Sequence, residues 1–577
     1  MLEQSKNQAK DEAASQGKED KSSPVTAVRA IVPADWMSLG LFVLLILVGA
    51  MTLTDYGMSW DEEFRYRGGD RKLEFYERIV FGEESYREVL EATGTDRYPG
   101  LFDMTGAVLH RVLPFDRLYV GHGLSFFFAL VGVAGVWVAG RMLGGAWVGF
   151  LAALFLVLMP RYYGHAFFNP KDIPFAGMFI WALVAIWWAM PRFPRIPWGG
   201  VVFLGVTIGL TMATRIGGML LLSYLALAMI FWYACALWED RGLTKERFRE
   251  ALILAGQGVL VVVLSFLVLL PWWPYGQKEL LSGAVETVGT TVSFAWSAPV
   301  LFDGHLYSSQ DLPWYYLPFH VVIVTPPFLL LAFIPFCLFT VVVFRQENWP
   351  KGESFFQYTS KGALLGWALA FPIVFVWVKA PTIYDGIRHF LFLLPVIALL
   401  SAWVWGQAFV RMVAQWRPFR WVGPVLLGVL FIIPTTVEMV RLHPYQYTYF
   451  NQVVGGLPGA EGNFETEYWG TSQRKAVEWL DGFLRENELG EEEPVVVGTP
   501  TSPWQVETFL TERMIFTENP AEAEFLITIP RVIRILHVLE RGRRDAMFLG
   551  PRLHRVERRG AVFAEVIDRR NYRVVPD

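Results

Sequence analysis

Apolar positions in this chain come in long unbroken runs joined by short polar connections, rather than on one helical face or at every second residue. A helix that crosses hydrocarbon needs roughly 20 predominantly apolar residues. Runs of that kind lie at 36–54, 119–140, 146–162, 173–190, 198–214, 216–238, 251–272, 319–344, 362–379, 388–407 and 421–440, about eleven in all. Both ends break the pattern. Residues 1–34 are polar, rich in Lys, Glu, Gln and Ser, and cannot bury a core, which predicts a disordered tail. Beyond the last run, Ser472 can cap a helix over about 473–487, in which Ala476, Val477, Trp479 and Leu480 recur at helical spacing. Residues 494–497 and 525–529 read as short buried strands, and 556–567 alternates around Arg558-Arg559-Gly560 like a hairpin. The expected fold is a polytopic α-helical membrane protein of about eleven spans with a small external α/β carboxy-terminal domain. Its expected parts are a tail (1–34), a membrane module (35–440) with large outer loops at 55–118 and 271–318, and an external segment (441–577) that ends in the α/β domain. No internal repeat is visible.

Charge orients the spans. Lys6, Lys10, Lys18, Lys21 and Arg29 lie in the tail, and every second connection after it is basic: Arg141; Arg192 and Arg195; Arg241, Lys245, Arg247 and Arg249; Arg345, Lys351 and Lys361; Arg411, Arg417 and Arg420. By the positive-inside rule the amino terminus is cytoplasmic and the carboxyl terminus outside, and a bacterial inner membrane fits. The first apolar run is long enough to span and lacks a small-residue cleavage site, so it does not read as a signal peptide. Composition agrees: 54% hydrophobic, 16% aromatic and only 18% charged residues mark a membrane protein. A net charge of -4 with no Lys/Arg block gives no sign of a nucleic-acid partner. Cys235 and Cys337 both fall in apolar runs, which excludes a disulfide framework.

The opposite connections differ in kind. The first opens on Asp55-Tyr56-Gly57-Met58-Ser59-Trp60-Asp61-Glu62-Glu63, and the second ends on His165-Ala166-Phe167-Phe168-Asn169-Pro170-Lys171-Asp172. The third is the turn Thr214-Arg215-Ile216-Gly217; the fourth opens on Pro271-Trp272-Trp273-Pro274 and holds His305 and Asp311. The fifth runs from Lys379 through Tyr384, Asp385 and Arg388 to His389, and the last begins at His443. Ionisable groups beside hydrocarbon are costly, and function concentrates on loops that a rigid scaffold carries. Asp61 and Glu62 can serve as general base on an acceptor hydroxyl or bind a divalent metal through oxygen. Their structural use would be a salt bridge with Arg65 or Arg67. Lys171 suits a phosphate as a point charge, with His165, Asn169 and Asp172 as candidates for metal or substrate. Against that stands a satisfied interfacial His165 and a snorkelling Lys171. Arg215 and Arg388, with His389, form a cationic set on the outer side, and a guanidinium grips phosphate with two bonds. Pairing of Arg388 with Asp385 or another outer carboxylate is the alternative. Trp272, Trp273, Trp314, Tyr315 and Tyr316 read as an interfacial belt.

Taken together, these groups suit a substrate whose phosphate is anchored in the bilayer, with an acceptor arriving from outside and cations or a metal stabilising the leaving phosphate. Ser59-Trp60-Asp61-Glu62, His165 with Asn169-Pro170-Lys171-Asp172, and Arg388-His389-Phe390-Leu391-Phe392 resemble the GT-C superfamily of integral-membrane glycosyltransferases. Within it the chain is most similar, over about 36–470, to the phospholipid-carrier-dependent branch of protein O-mannosyltransferases and aminoarabinose transferases. The resemblance implies a GT-C-like fold, a polyprenyl-phosphate sugar donor, an envelope lipid, polymer or protein acceptor, and inversion at the anomeric carbon. It implies Asp61 as base with Glu62 supporting it, and Lys171, Arg215 or Arg388 at the donor phosphate with His389 beside them. Some GT-C enzymes need a divalent metal (Mg or Mn) and others do not. The second outer loop lacks an Asp-X-Asp and has His165 and Asp172 instead, so metal dependence stays open. Two other classes compete. A transporter or flippase places ionisable groups near mid-membrane and shows repeated halves, neither of which is seen here. A non-catalytic envelope assembly protein would tolerate loss of Asp61.

Overall fold

In the computed structural model, residues 32–82, 85–94, 97–278, 280–294, 296, 298–334, 355–415, 422–539 and 548–572 are described. Most of the tail, Cys337, residues 335–344 of one apolar run, and the basic residues Arg345, Lys351, Arg417 and Arg420 lie outside them. Among the described residues six helices are long and apolar enough to cross a membrane: Pro33–Asp55, Arg117–Gly144, Asp172–Arg192, Ile216–Glu239, Lys245–Trp272 and Thr359–Lys379. A seventh is reached if Ala146–Val157 and Pro160–Phe168, bent by 67°, count as one broken span. This is a multi-pass membrane protein, but the expected eleven spans are not reached among the described residues.

The shortfall has local causes. The run 146–162 stops at Met159 because Pro160 opens a new helix at its first position, so the outer connection expected at 160–172 begins as helix Pro160–Phe168. The run 319–344 meets Pro326-Pro327, where a missing amide cannot continue the ladder; helix Tyr316–Val324 ends and a single turn, Pro327–Leu330, follows. The run 198–214 forms an apolar helix of 17 residues, Trp198–Thr214, which is shorter than a span, whereas the run 388–407 falls in the 23-residue helix Leu393–Gln415. The run 421–440 is helical without a gap from Val422 to Leu442, with Gly428–Ile432 in its middle wound as a π-helix. Apolar composition says nothing of where proline cuts such a run.

Helix Asp172–Arg192 is the most enclosed, burying Phe175, Phe179, Ile180 and Leu183, whereas Leu39, Leu44, Leu47 and Met51 of Pro33–Asp55 stay exposed, as a lipid-facing surface requires. The carboxy-terminal region forms a five-stranded sheet in the order β4-β3-β5-β7-β6, from β3 (Val495–Gly498), β4 (Met514–Thr517), β5 (Phe525–Thr528), β6 (Arg552–Arg558) and β7 (Ala561–Asp568). β3 runs parallel to β4 and β5, while β7 is antiparallel to β5 and β6. The β6–β7 hairpin turns through Arg559 and Gly560, both at positive φ (53° and 84°), a turn whose twist matches that of the strands. Helix Gln473–Glu486 buries Ala476, Val477, Leu480 and Leu484. Its Ser472 does not cap it; the hydroxyl goes to Glu467 Oε1 (3.0 Å) and the Phe563 carbonyl (3.2 Å). A two-stranded hairpin, β1 (Val300–Phe302) and β2 (His305–Tyr307), lies in the connection 271–318, which the sequence reading expects to face outside.

Residues 443–472 join the two regions and are not a simple linker. Tyr445, Tyr447, Tyr449, Phe450, Tyr468 and Trp469 are all buried, and one continuous apolar core runs from the spans through this segment into the sheet. Two glycines allow the contact: a Cβ on Gly164 would stand 2.3 Å from the Tyr447 amide, and one on Gly57 would stand 2.1 Å from the Thr471 carbonyl. The expected aromatic belt holds only in part. Trp314 is exposed, but Trp273 is buried with its indole donating to the Arg97 carbonyl (2.7 Å), and Tyr316 is buried with its hydroxyl accepting from the Gly386 amide (3.1 Å).

Candidate functional site

The Ser59-Trp60-Asp61-Glu62 turn is tied down from three sides. Ser59 Oγ donates to the Phe168 carbonyl (2.9 Å), and the Trp60 indole donates to the Tyr468 carbonyl (2.6 Å). Glu62 points inward and is buried: Oε2 accepts the Ser59 amide (2.6 Å), Oε1 accepts the Tyr66 hydroxyl (2.7 Å), and His122 Nε2 lies 3.1 Å away. It therefore closes the turn from which helix Glu62–Phe81 starts, and its neighbour Asp61 faces the other way. The salt bridges that competed for this motif are made elsewhere, Arg65 with Asp103 (2.6 Å) and Arg67 with Glu63 (2.5 Å).

The second motif is organised by Asn169. Its Oδ1 accepts the backbone amides of Lys171 (3.2 Å) and Asp172 (2.8 Å), and its Nδ2 donates to Asp172 Oδ2 (3.1 Å). Such an Asx turn sets the direction of Asp172 at the first residue of its helix, where the helix dipole favours a carboxylate. His165 spends both ring nitrogens on protein groups. Trp469 Nε1 can only donate, so His165 Nε2 accepts it (2.9 Å), which leaves Nδ1 to donate to the Arg161 carbonyl (2.7 Å). His165 is thus a packing residue of the buried 443–472 contact rather than a free ligand. Arg161 is buried beside it, with Nε donating to the Tyr449 carbonyl (3.1 Å).

Arg388 brings the outer connections together. Its Nη2 bonds to Asp61 Oδ2, its Nη1 donates to Asp385 Oδ2 (2.9 Å), and its Nε lies 3.5 Å from Asp172 Oδ2. One buried guanidinium thus faces three aspartates from three separate loops, with its plane 4.2 Å from the Trp469 ring centroid. Lys171 Nζ stands 3.9 Å from Asp61 Oδ2, and Arg215 Nη1 bonds to Asp172 Oδ1. A fourth cation, Arg531 of helix Pro530–Leu539, reaches Asp385 Oδ1 at 2.6 Å.

Electrostatics follow from this geometry. Burial alone would raise the Asp61 carboxyl, but Arg388 and then Lys171 outweigh it and hold the group below the ordinary carboxylate range. His389, packed edge-on against Tyr384 (4.6 Å between centroids), goes the other way. Burial, then Arg388, Arg215 and Lys171, push its imidazole well below its usual value, so it is neutral and not a member of the cationic set. Burial likewise lowers the Lys171 ammonium, partly opposed by Asp61.

Of the residues expected at the site, Asp61, Lys171, Asp172, Arg215 and Arg388 converge with His389 at their edge, while Glu62, His165 and Asn169 support the loops. Asp385 was visible in the sequence only as a competing partner of Arg388. Arg531, Trp469 and Arg161 were missed; Arg531 follows a strand-like run some 140 residues from Arg388, with no motif around it. Among the described residues no group of three or more His, Cys, Asp or Glu side chains is placed to hold a metal. Asp61 and Asp172 each face a guanidinium, so the side chains as arranged do not make a divalent-cation site.

No family model and no curated protein matches the chain. Among solved structures it is similar to ArnT from Cupriavidus metallidurans bound to undecaprenyl phosphate, at 14% identity and a TM-score of 0.45, over 93% of this chain and 98% of that one. It is similar also to the Archaeoglobus fulgidus oligosaccharyltransferase in its apo form, at 13% identity and a TM-score of 0.45, over 84% of this chain and 65% of that one. A third match is AglB of the same archaeon in complex with an inhibitory peptide and a dolichol-phosphate, at 12% identity and a TM-score of 0.45, over 86% of this chain and 69% of that one. The likeness is loose, and the functional reading rests on the residues of the charged cluster.

Proposed function

We propose that this protein is a glycosyltransferase that moves a sugar from a polyprenyl-phosphate donor to an acceptor at the outer face of a cell (inner) membrane. The observation that carries the reading is the convergence of Arg388, Lys171 and Arg215 with Asp61 and Asp172 where several membrane-embedded segments end. Every ionisable member lies at a helix end or in a loop: Asp61 directly precedes Glu62–Phe81, Asp172 begins its span, and Arg215 follows Thr214. Such placement favours a substrate held at the membrane surface over one carried through the midplane. The amino terminus is then cytoplasmic and the carboxyl terminus outside, with 35–440 as the catalytic module and 441–577 as the external part.

In this reading the donor phosphate takes the place of carboxylates on Lys171, Arg215 and Arg388. Fixed cations aimed at the leaving oxygen stabilise the charge that develops there. Asp61, released from Arg388, is then free to accept the proton of the attacking hydroxyl. The acceptor oxygen forms its bond to the anomeric carbon as the bond to phosphate breaks, with inversion. The electron pair leaves with the lipid phosphate, and the proton ends on Asp61. The acceptor is an envelope lipid, polymer or protein.

The test is sugar release from radiolabelled polyprenyl-phosphate sugars by purified protein with a membrane extract as acceptor, wild type against Asp61→Asn. The variant should bind donor yet turn over about 100-fold or more slowly, the scale of a lost general base. Equal turnover would make Asp61 structural. No consumption by wild type, with or without Mg or Mn, would remove the transferase reading and leave transport or envelope assembly.

A further inference from the structure

Arg531 belongs to the carboxy-terminal sheet region, yet its side chain ends among the charges of the candidate site. It sits in the first turn of helix Pro530–Leu539, directly after β5, the middle strand of the sheet, so its backbone has a fixed origin. Its side chain is buried. Nη1 approaches Asp385 Oδ1 at 2.6 Å and donates to the Tyr468 carbonyl (3.3 Å), while Nε lies 3.7 Å from Glu465 Oε2. Glu465 is anchored in turn, its Oε1 accepting the Leu301 amide of β1 (3.1 Å). The guanidinium is 5.7 Å from the ring centroid of Trp296, and that indole stacks on Tyr384 at 4.1 Å.

Asp385 is the hinge of the arrangement. Its φ of 60° is followed by 63° at Gly386, a left-handed pair that is costly for a non-glycine residue. One of its oxygens meets Arg531 and the other meets Arg388. A carboxylate shared in this way cannot turn to grip Arg388 with both oxygens. Without Arg531 it would do so, because a two-bonded guanidinium pair is the stronger one, and Arg388 would offer less of its charge to any other anion.

We propose that Arg531 is a positioning residue: it holds Asp385, and through Asp385 the guanidinium of Arg388, in the geometry that receives the donor phosphate. This rests on the transferase reading above. It gives the carboxy-terminal region a direct part in the site.

The test uses the full-length protein in lipid nanodiscs, with binding of undecaprenyl phosphate and turnover of the polyprenyl-phosphate sugar as paired readouts. Arg531→Met should raise both the Kd and the donor KM about tenfold, a typical coupling between contacting charged groups, with a smaller change in kcat. Arg531→Lys should recover part of the loss. In an Asp385→Asn background, Arg531→Met should add about twofold or less, because the path through Asp385 is already cut. Val532→Ala, which loosens the same helix without touching a charge, should leave KM at the wild-type value. Wild-type Kd and KM in Arg531→Met would overturn the proposal, as would an equal loss in the Asp385→Asn background or the same KM rise in Val532→Ala. If wild type neither binds nor consumes donor, the transferase reading falls and takes this one with it. An active wild type with an unaffected Arg531→Met removes only the positioning role.

Discussion

Asp61 and Arg388 define each other. The carboxylate is half-buried, and the cations around it hold it charged against the cost of that burial, so its proton affinity is a measure of their proximity. Its ionisation is shifted below the ordinary value of about 3.9, so the stabilising charge pair is fully formed above that pH and is lost only as pH falls through the lowered value. Activity should therefore show no acid limb from Asp61 between pH 5 and pH 8. In Lys171→Met, which removes the second of its three lowering cations (Arg388, Lys171 and Arg65), the residual activity should acquire an acid limb that moves upward in pH. A pH–rate profile of both proteins checks this, and an unmoved profile would detach Lys171 from Asp61. At this scale the sequence was informative about residue types and poor about partners. Charges beside hydrocarbon stand out in a string of apolar letters, which is why Asp61, Lys171, Asp172, Arg215 and Arg388 were picked out. Glu62, one residue from Asp61, carries the same signal but faces Ser59, Tyr66 and His122. Only the backbone turn separates the two roles.

Among elements, the contact of most consequence is that between helix Pro160–Phe168 and the segment 443–472. Backbone meets backbone at Gly164, where an added methyl would overlap the Tyr447 amide at 2.3 Å. Gly164→Ala should cost about 1–3 kcal/mol, the usual penalty for overpacking, and should depress donor turnover by moving the Trp469 face on which Arg388 rests. Gly123→Ala is the contrast: its Cβ would meet nothing within 4 Å. It should leave the thermal unfolding midpoint unchanged or slightly higher, since alanine is the better helix former. Thermal unfolding of the two variants in detergent checks the difference. The apolar runs were legible as membrane segments, and β3, β5 and the β6–β7 hairpin as strands, while β4 (Met514–Thr517) was not. How many runs span was not legible. Pro160 and Pro326 break runs that hydropathy alone joins.

For the whole molecule, the division into a membrane module and an external domain, reasonable from the string, conceals that they share one core. Tyr468 and Trp469 complete His165, Tyr449 completes Arg161, and Arg531 completes Asp385. A chain ending at 442 should therefore leave buried Arg161 without its Tyr449 and Tyr468 partners, and breaking a buried charge contact costs about 3–5 kcal/mol. Such a truncation should aggregate on size-exclusion chromatography rather than elute as a single membrane-module peak. Long-range closures of this kind leave no local trace in sequence, because each partner is an ordinary Tyr, Trp or Arg in its own neighbourhood.

The three aspartates around Arg388 act at rest as the molecule's own counter-ions, and any incoming anion must evict at least one of them. A soluble phosphate must do so from dilute solution. A lipid phosphate arrives already confined to the bilayer surface, at a far higher effective concentration. On the proposed function, the occupied seat therefore sorts ligands by their route of delivery: it is closed to the salts outside the membrane and yields to a headgroup that the membrane itself presents.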